Sequence, residues 1–166
     1  MLKLNKQVEY SLICLKHMAQ KSPGELTSAR EISDINGTPF DATSRSLQKL
    51  SQMGVLKSEQ GPTGGYQIIK DLSTKNLKDL IEATLGPVGI VKCLQDSACE
   101  MAGTCNFVST AEYLNGRVLE FFESISLSEL VDYRKSPISQ GHQSKENSHK
   151  DIKLSQKARE QEVVNP

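Results

Sequence analysis

The sequence predicts a mainly α-helical protein with a small β-hairpin wing: a winged helix-turn-helix followed by a long C-terminal helix. Three observations carry that expectation. Apolar residues recur at helical spacing in three successive segments ending near Met53. Two short strand-like runs, 55–60 and 66–70, flank the glycine-rich stretch Gly61-Pro62-Thr63-Gly64-Gly65. From Phe107 to Ile125, apolar residues alternate in steps of four and three, the a/d pattern of a long amphipathic helix.

The first helix is expected over Lys6 to Gln20, where Val8, Leu12, Leu15 and Ala19 form its inward stripe. Cys14 and His17 lie on it and read as a small buried hydrophobe and a partly exposed helix histidine. After the turn Ser22-Pro23-Gly24-Glu25, Thr27 or Ser28 caps a second helix, with Glu31 placed for a capping box. Its stripe is Ala29, Ile32 and Ile35, and Gly37 closes it. Thr38 and Pro39 open a third helix that runs to about Met53 with Phe40, Leu47, Leu50 and Met53 inward.

A short helix, a glycine turn and a second helix make a helix-turn-helix. The outer face of the third helix carries Thr43, Ser44, Arg45, Gln48 and Lys49, side chains that can donate to phosphates or base edges. A polar face of this kind also occurs on any solvated helix. The hairpin that follows tips the balance, because a hairpin directly after a helix-turn-helix is a wing. Its tip has three glycines and a proline in five residues, which suggests a backbone that approaches a DNA backbone or a minor groove closely.

Beyond the wing, a short helix is expected over Leu77–Leu85, with Ser73 or Thr74 before it and Gly86-Pro87 ending it. Then comes Cys93-Leu94-Gln95-Asp96-Ser97-Ala98-Cys99-Glu100-Met101-Ala102-Gly103-Thr104-Cys105, which holds three of the four cysteines at equal spacing. Five intervening residues suit neither a helical face nor the tight Cys-x-x-Cys knuckle of structural zinc. Soft thiolates select an iron–sulfur cluster, zinc or copper(I), and a set of redox-active or inert thiols is the other reading. From Lys135 the chain becomes rich in Ser, Gln, Lys, Asn and His and reads as a disordered tail, with His142 and His149 in it. The expected organisation is therefore 1–71, 72–134 and 135–166.

Length and composition narrow the function. At 166 residues the chain holds one domain with a core plus a tail. Its formal net charge is zero, yet residues 1–71 carry nine Lys/Arg against seven Asp/Glu and residues 72–134 five against nine. The N-terminal part is mildly basic, which permits a nucleic-acid partner there. The longest apolar run near the start, Leu12–Leu15, is far short of a signal core or a membrane span, so a cytoplasmic location is expected. In that compartment the cysteines read as metal-binding or redox-active instead of disulfide-bonded. The three histidines stand far apart and no nucleophile motif appears, which argues against an enzyme.

With wing and cysteine triplet together, the chain resembles the bacterial iron–sulfur-cluster winged-helix transcription regulators related to IscR and NsrR. The resemblance covers about residues 1–131. It rests on Leu4-Asn5-Lys6, the Gly37 turn, the segment Leu50 to Leu56, the wing Gly61 to Tyr66, the triplet, and the ending Ile125 to Val131. It implies a homodimer on an imperfect palindrome of double-stranded DNA, with the long helix as the dimerisation helix. It also implies an iron–sulfur cluster, of four or two irons, on Cys93, Cys99 and Cys105. One branch completes its cluster with a histidine three residues after the last cysteine, where this chain has Val108. Other branches use a carboxylate near the start of the first helix, supplied by the partner subunit, and the matching residue is Glu9. At the DNA face the family often has an aromatic and an acidic residue where Ala42 and Ser44 stand, and an arginine where Gln60 stands. The candidate DNA contacts are Ser28, Thr38, Thr43, Ser44, Arg45, Gln48, Lys49, Gln60, Thr63 and Gly64. The implied function is a regulator, a repressor by expectation, whose cluster reports nitric oxide, redox state or iron supply. The alternatives are a cluster-independent winged-helix regulator that senses through thiols or a small ligand, and an iron–sulfur carrier.

Overall fold

Helices α1 (Lys6–Met18), α2 (Ala29–Asn36) and α3 (Phe40–Gln52) pack on one another and lead into the antiparallel strands β1 (Leu56–Glu59) and β2 (Gly65–Ile68). This is a computed structural model, and it describes residues 3–91 and 104–133. A 3₁₀ turn (Leu72–Thr74) precedes α4 (Leu77–Leu85), and α5 (Val108–Glu123) and α6 (Leu127–Asp132) complete the described chain. Cys93 and Cys99, with most of the loop between α4 and α5, lie outside the described residues, as does the tail from Lys135 onward with His142 and His149.

The core is built from Val8, Leu15, Ile32, Leu47, Leu50, Val55, Leu80 and Leu127, each fully buried. Burial of a side chain of this size contributes about 1.5–3 kcal/mol. On α1 the buried stripe is Val8, Ser11, Leu15 and Met18 with Cys14 beside it, and Ala19 is instead the exposed C-cap residue. Cys14 is the buried hydrophobe expected, and loss of solvation pushes its thiol up to about 12. Two residues expected inward are not. Ile35 at the end of α2 and Phe40 at the start of α3 are 66% and 45% exposed, because they flank the short turn between the two helices and fall outside the core cluster.

Capping explains where the helices start and stop. The Asn5 side chain accepts from the Gln7 N–H at the start of α1, and Ser28 accepts from the Glu31 N–H at the start of α2. Glu31 does not close the second half of a capping box, since its carboxylate is drawn to Lys21 at 2.6 Å and His17 at 3.3 Å. His17 in turn lies 3.1 Å from the Asn36 side-chain amide, so this histidine ties α1 to both ends of α2. The complete capping box is at α4, formed by Asn76 and Asp79, and it supersedes Ser73 or Thr74 as the cap.

The wing is more firmly built than a free hairpin. Leu56 pairs with Ile68 and Glu59 with Gly65, and Thr27 adds a one-residue third strand through two 2.9 Å hydrogen bonds with Tyr66. Two tip glycines have internal reasons. A side-chain carbon on Gly64 would overlap the Glu59 carbonyl, and one on Gly65 would press on the Thr27 backbone. Of the three tip glycines, Gly61, at φ +126°, is the one that combines a glycine conformation with open space.

The segment after the wing packs back onto the helices before it. Leu77 N–H donates to the Ile125 carbonyl at 2.9 Å and Leu127 N–H to the Lys75 carbonyl at 2.8 Å, so the entrance to α4 and the exit of α5 are stapled together. From that staple α6 folds back onto α1 and the 3₁₀ turn, and Leu127 and Val131 join the same core as Val8 and Leu72. The long helix differs from its neighbours. Among its sixteen residues only Ala111 is buried, while Tyr113, Leu114 and Phe121 are exposed and Phe122 leans on the core. No helix among the described residues is long and apolar enough to cross a membrane.

Candidate nucleic-acid interface and metal centre

The turn between α2 and α3 fixes how α3 is presented. Gly37 takes the left-handed conformation (φ 65°) that a C-cap requires, and the N–H groups of Gly37 and Thr38 both return to the Ser33 carbonyl. Pro39 then sets the entry to α3 without a side-chain cap. The first turn is tied by hydroxyls: Thr43 Oγ1 donates to the Pro39 carbonyl at 3.0 Å and lies 2.7 Å from Thr38 Oγ1. Thr43 is therefore 0% exposed, and the expectation that it sits on the outer face is corrected. Its hydroxyl finds both partners inside, so it holds the helix start and leaves the surface to its neighbours. Arg45 and Gln48 are exposed, with Ser44 and Lys49 half-buried at the flanks.

The remaining candidates divide by place. Ser28 is the half-buried cap of α2, and Thr38 is the half-buried hydroxyl partner of Thr43. Gln60 and Thr63 are exposed at the wing tip, and Gly64 donates its N–H to the Gly61 carbonyl at 3.0 Å to hold the turn. Helix α3 also lies beside the chain start. Asn5, Lys6, Gln7 and Tyr10 of the α1 region and Ala42 and Arg45 of α3 line one cavity of about 250 Å³.

Glu9 is in the first turn of α1, where its carboxylate lies 2.8 Å from the Lys6 ammonium and raises that ammonium's pKa. It is partly exposed, and an ion pair this open to solvent is weak and screened by salt, so it can yield to a stronger ligand. Cys105 is a free, partly exposed thiol three residues before α5. The other end of the cysteine segment is tethered too, since the Ile90 N–H donates to Asn115 Oδ1 of α5 at 3.0 Å. Ile90, three residues before Cys93, is thus held beside the middle of α5, and Cys105 stands just before its start. Cys14, buried and with its thiol held protonated, does not fit a ligand role. Among the described residues no three His, Cys, Asp or Glu side chains converge on one point.

The family model for Rrf2, described as iron-dependent transcriptional regulators, matches residues 4–133. The chain belongs to the Rrf2 family. It is accordingly a winged-helix transcriptional regulator and not an enzyme. Among Rrf2 relatives, IscR of Vibrio vulnificus is 28% identical over 133 residues, covering 78% of this chain and 77% of its own. IscR of Escherichia coli is 24% identical over 131 residues, covering 79% and 81%. Of solved structures, CymR, the global cysteine regulator of B. subtilis, superposes with a TM-score of 0.62 at 25% identity over 81% of this chain and all of that one. The IscR of T. potens gives 0.57 at 17% identity over 83% and 96%, a likeness of fold. Sequence reasoning missed three features of this Rrf2 chain: the Thr27 strand, the docking of α6, and a guanidinium stacked at the start of the recognition helix.

Proposed function

We propose that this chain is a homodimeric repressor that binds an imperfect DNA palindrome and is controlled by an iron–sulfur cluster on Cys93, Cys99, Cys105 and Glu9. The carrying observation is the donor set: three equally spaced thiols in a segment tethered at both ends to α5, with a weakly held carboxylate on α1. Soft thiolates suit iron, and Glu9 would supply one harder oxygen ligand from the partner subunit. Bound there, the cluster supplies a redox- and nitric-oxide-reactive centre. The protein's own contribution is coupling. Glu9 is one turn from the Asn5–Gln7 segment that shares a cavity with Arg45, so engaging or releasing Glu9 moves the α1 start against the recognition helix.

On the DNA side, Arg45 and Gln48 are the base-reading side chains, with Ser44 and Lys49 beside them and Gln60 and Thr63 at the wing. Thr38 and Thr43 hold α3 in place for them. Dimerisation runs along α5, whose Leu114 and Phe121 are exposed among the described residues. Likeness to CymR favours a second reading, a cluster-free regulator that responds through a thiol or a small ligand. One experiment separates them: the visible spectrum, iron and sulfide content of protein purified without oxygen. A brown preparation, bleached by air and lost on replacing any of Cys93, Cys99 or Cys105 by Ala, supports the cluster. A colourless, iron-free protein that still binds its operator supports the second reading.

A further inference from the structure

Arg30 stands at the second position of α2, the end at which the helix dipole favours acidic side chains and opposes basic ones. Helix stability therefore does not explain it. Ion pairing does not explain it either. Glu31 is committed to Lys21 and His17, and Arg30 forms no ion pair with Asp34, one turn along, although that spacing would permit one. Instead its guanidinium lies over the ring of Phe40, 5.2 Å from the centroid, within the range of a cation–π contact. The same contact accounts for an apolar ring left 45% exposed at the first position of α3.

Placement gives this pair its meaning. At 100° per residue, Phe40, Ser44 and Gln48 fall on one strip of α3, successive turns of the same flank. Arg30 is thus held at the head of the strip that ends in the proposed base-reading Gln48. In helix-turn-helix docking the helix before the recognition helix crosses the DNA backbone. A guanidinium held on a ring at that crossing, without an ion-paired carboxylate among the described residues, is suited to a phosphate's paired oxygens.

We infer that Arg30 is a phosphate-binding residue of this regulator, oriented by Phe40, and that the pair sets how deeply α3 sits in the groove; the inference rests on the DNA-binding reading above. The test uses the full-length protein and measures its affinity for operator and for random-sequence duplex across a series of salt concentrations. Arg30→Ala and Arg30→Gln should each lower the slope of log affinity against log salt by about 0.9 and weaken both duplexes by a similar factor, as loss of one phosphate contact requires. Arg30→Lys should retain the slope. Phe40→Leu should weaken binding in the parent and have no further effect in the Arg30→Ala background, since a residue that only orients another is silent without it. An unchanged slope in Arg30→Ala and Arg30→Gln overturns the phosphate contact, and additive effects of Arg30→Ala and Phe40→Leu overturn the orienting role. If the parent itself shows no salt-dependent DNA binding, the DNA-binding reading falls, and the inference with it.

Discussion

Gly65 lies against the backbone of Thr27, so close that a side-chain carbon on the glycine would come within 2.8 Å of the Thr27 carbonyl oxygen. The contact seats the wing on the loop between α1 and α2, next to the two hydrogen bonds of the Thr27–Tyr66 bridge. Gly65→Ala must push two backbones apart, and a strained packing change of this kind costs about 1–3 kcal/mol. Urea unfolding should show a midpoint lowered by that loss divided by the urea slope, and an unchanged midpoint refutes the seating.

Thr43 and Gln48 should separate stability from recognition. Thr43→Val removes the hydroxyl shared with Thr38 and Pro39 and should cost about 1 kcal/mol in unfolding while leaving base preference intact. Gln48→Ala should leave the thermal midpoint alone and relax preference at one position of each half-site by about 1–3 kcal/mol. Competition binding with a panel of single-base operator variants reads both, and a Thr43→Val protein with altered base preference would return that residue to the DNA surface.

Glu9→Ala is expected to bind a cluster that decays faster in air and no longer alters DNA affinity when it is lost. Glu9→Cys supplies a fourth soft ligand and should lengthen the cluster's lifetime while blunting the response. Lifetimes follow from the decay of visible absorbance. Parent-like decay and parent-like DNA control in Glu9→Ala would move the fourth ligand elsewhere.

The uncovered face of α5 predicts the oligomer. A charge placed in an apolar interface is strongly disfavoured, so Leu114→Glu with Phe121→Glu should yield a folded monomer by sedimentation, with helical content retained, because both side chains are exposed within the subunit. A double variant that stays dimeric places the interface on another surface.

Acid should act partly through Glu31. The hydrogen bond from Lys21, helped by His17, holds its carboxyl below the ordinary value, against a smaller opposing effect of desolvation. A lowered folded-state value means stability that is fully present above the unfolded carboxyl's pKa and is lost as pH falls through the folded one. Glu31→Gln should therefore be less stable than the parent at neutral pH by under about 1 kcal/mol, as befits a partly exposed pair. The difference should close in the acid range below the ordinary carboxyl value, and thermal melts from neutral to acid pH test it. A constant difference across that range would show that the charge is irrelevant.

Most of the framework was legible because it is periodic. The spacing of Val8 and Leu15, and of Leu47 and Leu50, declares α1 and α3, and the Gly-Pro-Thr-Gly-Gly turn declares the hairpin. Periodicity does not say whether a neighbour covers a face, which is why Ile35 and Phe40 read as core and are exposed. Thr43 misled for the opposite reason, being polar in composition yet satisfied within its own helix turn. Thr27 contributes a strand one residue long, and α6 fewer than two turns, both too short to have a period. At the candidate metal centre the thiol spacing is written in the sequence. The weakness of the Lys6 hold on Glu9 is a matter of three-dimensional exposure, whereas Cys14 already reads as a buried hydrophobe from its place on the first helix.

The return of α6 onto α1 also orders events during synthesis. Residues 3–71 spell a complete helix-turn-helix and wing, yet one side of their core stays open to water until Leu127 and Val131 emerge behind α5 and close it. The ribosome must deliver the cysteine segment before it delivers that seal. A chain stopped before Leu127 therefore has an unfinished core, and every finished core arrives with the cysteine segment already attached.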